Sequence, residues 1–459
     1  MPAALPFNRA RAYFAAMLKH VLRVLAIVVV IAIGVYLYLA RPDTAELPVA
    51  AVAGQRPQIT PPRIQTIPTV KVADAVGWPA GAKPTPATGL QVAAFAEGLD
   101  HPRWLYRLPN GDVLVAETNS PPRESGGITA WVMKHLMGRA GAGVPSANRI
   151  TLLRDANGDG VAEQRSVFMT GLNSPFGMAL MNGQLYIGNT DALVRVPYSD
   201  GQTRITAKPE LVVKLNPAGN HWARNVIPAG DGRSLFVSVG SASNIAEKGM
   251  AAEKYRANIL QVWPDGNWRV FAAGLRNPNG MALNPVTGNL WTVVNERDML
   301  GSDLAPDYLT QVEFGDHFGW PWYYWGGYPD NRVEPKNPGM QEYSKRPDYA
   351  LGPHVAALGL TFAADARLGD RWARGAFVGE HGSWNRVPVS GYKVVFIPFA
   401  ANGYPVRGAK PVDVLTGFLN QEGEAMGRPV GVITDRTGGL LVADDVGNKI
   451  WRVSAATTG

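Results

Sequence analysis

The chain has 459 residues, 46% of them hydrophobic, and its 51 Gly and 36 Pro favour many short strands and turns over long helices. It has no cysteine, which excludes a CxxCH haem attachment and any cysteine-ligated iron–sulfur or zinc centre. The net charge of +7 comes partly from the N-terminus and forms no cluster elsewhere, so no nucleic-acid patch is expected, while an anionic ligand or lipid surface stays open.

Residues 1–23 are basic, with Arg9, Arg11, Lys19 and Arg23, and precede the uncharged run "VLAIVVVIAIGVYLYLA" at 24–40. That run is long enough to cross a bilayer. Its basic flank predicts a single-pass inner-membrane anchor with the remainder on the periplasmic side. A cleaved signal peptide is the alternative, opposed by the bulky Leu37 and Tyr38 where a small residue is wanted. Residues 41–88 are rich in Pro and Ala, the composition of an extended spacer, so the functional module is expected at 89–459.

From Gly89 a two-part unit recurs. Its turn and second strand read "PNGDVLVAET" at 109–118, "MNGQLYIGNT" at 181–190 and "PVTGNLWTVVNERD" at 285–298, with further copies at 230–244, 374–386 and 436–445. Ahead of each copy stands an opening strand: "GLDHPRWLYRL", "GLNSPFGMAL", "GNHWARNVIP", "GLRNPNGMAL", "GPHVAALGLTF" and "GRPVGVITD". Six copies of a strand–turn–strand unit imply an all-β repeat fold, and four-stranded sheets around an axis give a six-bladed β-propeller. The openings would then converge on one channel mouth, bringing Arg103, Asn173, His221, Arg276 with Asn277, His354 and Arg428 into a basic ring.

His221 suits general-base work near neutral pH. No GxSxG or HExxH accompanies it, and "GRAGAG" at 138–143 follows a short amphipathic stretch, "ITAWVMKHLM", rather than a strand, so it is no dinucleotide fingerprint. The insertion at 120–147 is expected as a loop near the mouth or membrane. "DANGDGVAE" places Asp155, Asn157, Asp159 and Glu163 like the start of a calcium loop, but position twelve is Ser166, and a tight turn is the competing reading. "NERDMLGSD" offers Glu296, Asp298 and Asp303 for a hard cation, and "FGWPWYYWGGYPD" at 318–330 would either stack a planar ligand or pack between blades.

Together "GLRNPNGMAL", "GDHFGWPW", "NHWARN", "NERDMLGSDLAPDYLT" and "GEHGSWNR" resemble the pyrroloquinoline-quinone (PQQ)-dependent sugar dehydrogenases of the soluble glucose dehydrogenase and L-sorbosone dehydrogenase type, over most of 89–456. The resemblance implies a PQQ- and calcium-dependent oxidoreductase acting on an aldose or sorbosone-type aldehyde. His221 would take the hydroxyl proton as hydride moves to the quinone, with Arg276 as the other catalytic residue. Arg276 and Asn277 would contact the cofactor's oxygens, with Asn173, Arg224, His381, Arg386 and Arg428 completing the set. Arg428 matches the first of two family arginines, and the second falls on Val430. The family's lysine has no clear counterpart, and His381 or Arg386 would replace it. Calcium would be held by backbone carbonyls around Arg297, Asp298 and Met299. With no haem, electrons would leave to a membrane quinone or a separate cytochrome. Two rivals stand beside this reading: a calcium-dependent lactonase using Glu117, Asn189 and Asn295, and a non-catalytic binding propeller.

Overall fold

The computed structural model describes residues 6–65, 67–122, 127, 134–217 and 219–456. One long helix, Pro6–Leu39, precedes a body whose blades are six antiparallel sheets, five of four strands and one of five. The apolar part of this helix, Arg11–Leu39, is long enough to span a membrane, and none of the described residues buries it.

Each sheet is one blade, and each begins at one of the predicted openings. Blade 1 runs Pro102–Arg107, Val113–Glu117, Arg149–Arg154 and Gln164–Met169. The innermost strands of blades 2 to 6 are Met178–Met181, Val226–Pro228, Asn277–Leu283, Ala357–Phe362 and Pro429–Thr434. The fourth strand of blade 6 comes from the other end of the module: Leu90–Glu97 pairs antiparallel with Lys449–Ala455 and closes the ring. Alternation along the strands sends apolar side chains into the gaps between blades, where Trp291, Phe377 and Val378 are fully buried.

The glycine shared by several openings has a steric reason. Innermost strands of adjacent blades nearly touch: a Cβ at Gly280 of blade 4 would lie 2.5 Å from the Leu358 carbonyl oxygen of blade 5, and one at Gly359 would lie 2.3 Å from that of Val430 of blade 6. Only glycine fits where one backbone approaches another this closely.

Residues 41–88 keep the extended backbone their composition predicts, but they are not a free spacer. Val52, Ala53 and Ala73 are buried. Gly54 bridges to Ala350, and Thr85–Pro86 adds a fifth strand to blade 5 beside Val412–Thr416. Proline is stiff, and both proline and alanine are apolar, so an extended segment of them can be bound along a surface. The stretch "ITAWVM" within the 120–147 insertion lies outside the described residues; Lys134–Met137 is helical and continues into Gly138–Ala142. Most of the aromatic run 318–330 packs inward: Phe318, Trp320, Tyr324 and Trp325 are buried and Tyr308 stacks on Phe318 at 6.1 Å, while Trp322 is half-buried and Tyr328 exposed.

Candidate active site

The six openings lie at the same end of their blades, where loops joining each second and third strand surround the channel mouth. On the side of blades 3 and 4, His221 is half-buried, and its Nδ1 lies 2.9 Å from the Ser241 carbonyl oxygen and 3.0 Å from Ser241 Oγ. Ser241 Oγ donates its own proton to the Ser243 carbonyl at 2.6 Å. Both oxygens therefore accept from Nδ1, which fixes the tautomer with the proton on Nδ1 and the lone pair on Nε2. Gly240 lets the base and its neighbour close together, since a Cβ there would meet Asn277 Oδ1 at 2.3 Å and His221 Cβ at 2.6 Å.

Two arginines hold the loop carrying His221. Arg224, fully buried, donates to the carbonyls of Asn216, His221 and Ala223. Arg256 donates to those of Asn216, His221 and Ser241. Burial, then the adjacent Arg256 charge, lowers the Arg224 guanidinium well below its usual range. The structure thus places Arg224 beneath the base, as a post for its loop.

Arg276 faces the same floor with every N–H engaged. It donates to Asn244 O, Asn244 Oδ1, Glu296 O at 2.6 Å, Asn295 O and Asp298 Oδ2 at 3.0 Å. Burial alone would raise the Asp298 carboxyl, but Arg276 and then His354 hold it below the usual range. His354 is raised in turn: burial opposes its charge, and the hydrogen bond and charge of Asp298 overcome that penalty.

The carbonyls expected to hold calcium are already filled. The Asp298 oxygen accepts from Arg332 Nη1 at 2.9 Å and from Asn244 Nδ2 at 3.1 Å. The Met299 oxygen accepts from the same Arg332 nitrogen at 3.1 Å and from the Gln65 amide at 3.4 Å. Arg297 itself is fully buried and ion-paired to Glu296 and Asp330. A bridging ion would need the place that the Arg332 nitrogen holds, so these residues do not fit calcium. The second predicted set does bring the carboxylates of Asp155, Asp159 and Glu163 within 4.8 Å of one another. They cap their own turn, however: Asp155 accepts from the amides of Gly158 and Gly160, Asp159 from that of Val161 and from Asn157 Nδ2, and Glu163 from that of Ala156.

Across the mouth, blades 5, 6 and 1 meet at Asp445, a residue that no sequence motif singles out. Its Oδ2 accepts from Arg103 Nη1 and lies 2.8 Å from His381 Nε2, while its carbonyl lies 3.1 Å from His101 Nδ1. Burial would raise this carboxyl, but His381, Arg103 and His101 hold it well below the usual range. Burial, then the charge of Arg428, pushes His381 down to about 3. Arg428 donates to the carbonyls of His381, Ala140 and Gly382 and stacks over Tyr392. The guanidinium of Arg103 lies 5.9 Å from the Trp222 ring, which joins this side of the mouth to the His221 loop.

Asn173 is exposed, with its carbonyl accepting from the Thr190 amide. Arg386 is buried and donates to Ser302, Pro388 and Leu47 carbonyls, holding the 41–88 segment to blade 5. Val430 packs in the hydrophobic core, so no side chain there reaches the mouth. A lactonase quartet is not assembled either: Glu117 is bound by Arg149, Thr151 and the Asp100 amide, and Asn295 donates to the Ala357 carbonyl. A cavity of about 510 Å³ opens at the opposite end of the channel, lined by Tyr106, Arg107, Arg367, Asp435 and Arg436 among others, and none of the candidate residues borders it.

This architecture matches the TrAA12-like family over residues 84–312 and 328–456. The chain belongs to that family. An uncharacterised protein of Borreliella burgdorferi is 30% identical over 302 residues, which are 61% of this chain and 76% of that one. A pyrroloquinoline quinone-dependent pyranose dehydrogenase of Coprinopsis cinerea is 24% identical over 427 residues, covering 80% of this chain and 54% of its own length; this chain thus spans about half of that relative. The holo structure of the PQQ domain of the Coprinopsis enzyme shares the fold, with a TM-score of 0.65 and 21% identity over 84% of this chain and all of that domain. The TrAA12-like match begins at residue 84, where Thr85–Pro86 joins blade 5.

Proposed function

We propose that this protein is a PQQ-dependent dehydrogenase that oxidises a hydroxyl or hydrated aldehyde of a sugar-type substrate, an aldose or sorbosone, with His221 as general base. The observation that carries the reading is the mouth: a base of defined tautomer faces a set of cationic donors on a propeller whose named relative uses this cofactor.

The donor set suits a planar tricarboxylic quinone. Arg428 commits three N–H groups to carbonyls and keeps two, and Arg103 contributes a second guanidinium beside it. Bidentate guanidiniums are the side chains that best match carboxylates. Buried atoms at the same place, His101 Nε2, Arg103 Nε and Asp445 Oδ1, have no hydrogen-bond partner among the described residues, which is costly unless a ligand or water satisfies them. When bound, the quinone would supply the two-electron acceptor for the substrate's hydride.

The chain's own residues then do three things. His221 Nε2 receives the substrate hydroxyl proton, and the Ser241 carbonyl steadies the imidazolium through Nδ1–H. Arg276, fixed by Glu296 and Asp298, keeps positive charge under the site without moving as negative charge develops. Arg103 and Arg428 orient carboxylates, and Trp222 covers one side of the mouth. Electrons would leave to a membrane quinone or a separate cytochrome, and the chain would sit in the inner membrane with the propeller on the periplasmic side.

The test is titration of the apoprotein with PQQ, followed by dye reduction with a panel of aldoses and aldehydes. His221→Ala should retain PQQ affinity and lose about 10²- to 10⁴-fold in kcat, the usual size of a general-base contribution. Failure of the apoprotein to bind the quinone, or unchanged turnover in His221→Ala, refutes the assignment.

A further inference from the structure

Residues 41–88 do more than connect helix to propeller. Asp43 accepts from the Ser302 amide, and its carbonyl accepts from Ser302 Oγ at 2.8 Å. Ala45 donates to the Val387 carbonyl at 2.7 Å, and Glu46 to Asp303 Oδ2 at 2.8 Å. Arg63 ties the start of the segment to its return, pairing with Asp43 at 2.8 Å, Glu46 at 2.6 Å and Asp303 at 3.2 Å. Further on, Thr69 O accepts from Asn385, Lys71 donates to the Trp384 carbonyl, and Ala75 to that of Arg139. Ser302, Asp303, Trp384, Asn385, Val387 and Arg139 all belong to loops between second and third strands of blades 4, 5 and 1. Those loops also carry Asp298 and His381. The segment is therefore a strap across the mouth face.

Its other end sets a distance. The apolar helix ends at Leu39, and the first docked residue is Asp43. Four residues reach roughly 14 Å at full extension. A helix buried in lipid up to Leu39 therefore keeps the rim at Ser302 within about 14 Å of the membrane surface. Among the described residues nothing covers the helix, as expected if lipid does.

We infer that the propeller is docked mouth-down, with the rim formed by the loops of blades 4 and 5 facing a lipid bilayer and the turn end, with its 510 Å³ cavity, facing away. The orientation does not depend on the dehydrogenase assignment. Combined with it, it sets the redox site beside acceptors dissolved in the membrane.

The chain lacks cysteine, so single labelling sites can be introduced without background. Lys248 is exposed on the mouth-side loop of blade 3, and Val286 is 57% exposed in the turn between the first two strands of blade 4, at the far end. The full chain carrying Lys248→Cys or Val286→Cys, labelled with a donor fluorophore, is reconstituted into phosphatidylcholine–phosphatidylglycerol vesicles with a headgroup-attached acceptor dye. Strong quenching of the donor at 248 and weak quenching at 286 is expected. A long Gly/Ser insertion after Arg41 should erase that contrast. Equal or reversed quenching, a contrast that survives the insertion, or a chain that stays off the vesicles overturns the inference, whatever the enzymatic assays show.

Discussion

A calcium ion bridging two carbonyls needs both oxygens at about 2.3–2.6 Å, and the Arg332 nitrogen lies between the carbonyls of Asp298 and Met299 at 2.9 and 3.1 Å. Arg332 is itself fixed by Asp330, which accepts from its Nε and Nη2 at 2.9 and 2.7 Å, so the guanidinium has no competing geometry. PQQ affinity should therefore be the same after exhaustive chelation as in excess calcium, followed by quenching of tryptophan emission. Arg332→Ala should weaken quinone binding roughly 10- to 100-fold, the loss of one or two charge-assisted hydrogen bonds' worth of organisation, and calcium should then restore part of it. Abolition of binding by chelation in the unaltered protein would show that the carbonyls do take a metal. The sequence brought His221 forward as a candidate because a short local motif sits at a repeated opening. It hid Arg332 and Asp445 because their partners are remote: Arg332 reaches back 34 residues to Asp298, and Arg103 crosses 342 residues to Asp445.

Among the strands, Gly375–Glu380 of blade 5 ends in a carboxyl under unusual conditions. Glu380 is buried, its two oxygens have no hydrogen-bond partner among the described residues, and burial pushes it up to about 8. Between its ordinary value of 4.5 and about 8 the unfolded chain has lost this proton and the folded chain has kept it. The folded state then binds more protons, so stability falls as pH rises through that window and is level on either side of it. Glu380→Gln mimics the protonated form and should remove this share of the slope. Thermal melts of the two proteins should coincide near pH 4.5 and diverge in favour of the variant towards pH 8. A constant offset across the range would place the stabilisation elsewhere. Period-two apolar strands marked blade 5 in the sequence, and nothing in that pattern shows that the glutamate closing "GAFVGE" turns inward. Likewise, composition predicted the extended backbone of 41–88 but not its docking, which depends on partners such as Asp303 and Asn385 that are distant in the chain.

At the scale of the whole ring, stability rests on closure, since each blade buries its faces only against its neighbours. The recurring openings made the six units countable from sequence alone, because the channel imposes the same glycine-bearing first strand on several of them. The closing pair is less visible. Leu90–Glu97 is followed at once by blade 1, yet it completes blade 6 through a ladder running from Leu90 opposite Ala455 to Glu97 opposite Lys449. Val453, fully buried, stands opposite Val92 on one side and Leu440 on the other, so it is the point where closure can be weakened by one residue. Val453→Pro removes a ladder donor from a strand paired on both edges and should cost about 3 kcal/mol or more. Because an open ring exposes the faces of blades 5 and 1 along with those of blade 6, the loss should lower one cooperative transition in calorimetry. A separate early transition confined to blade 6, with the remainder melting at the original temperature, would mean that the other five blades stand without closure.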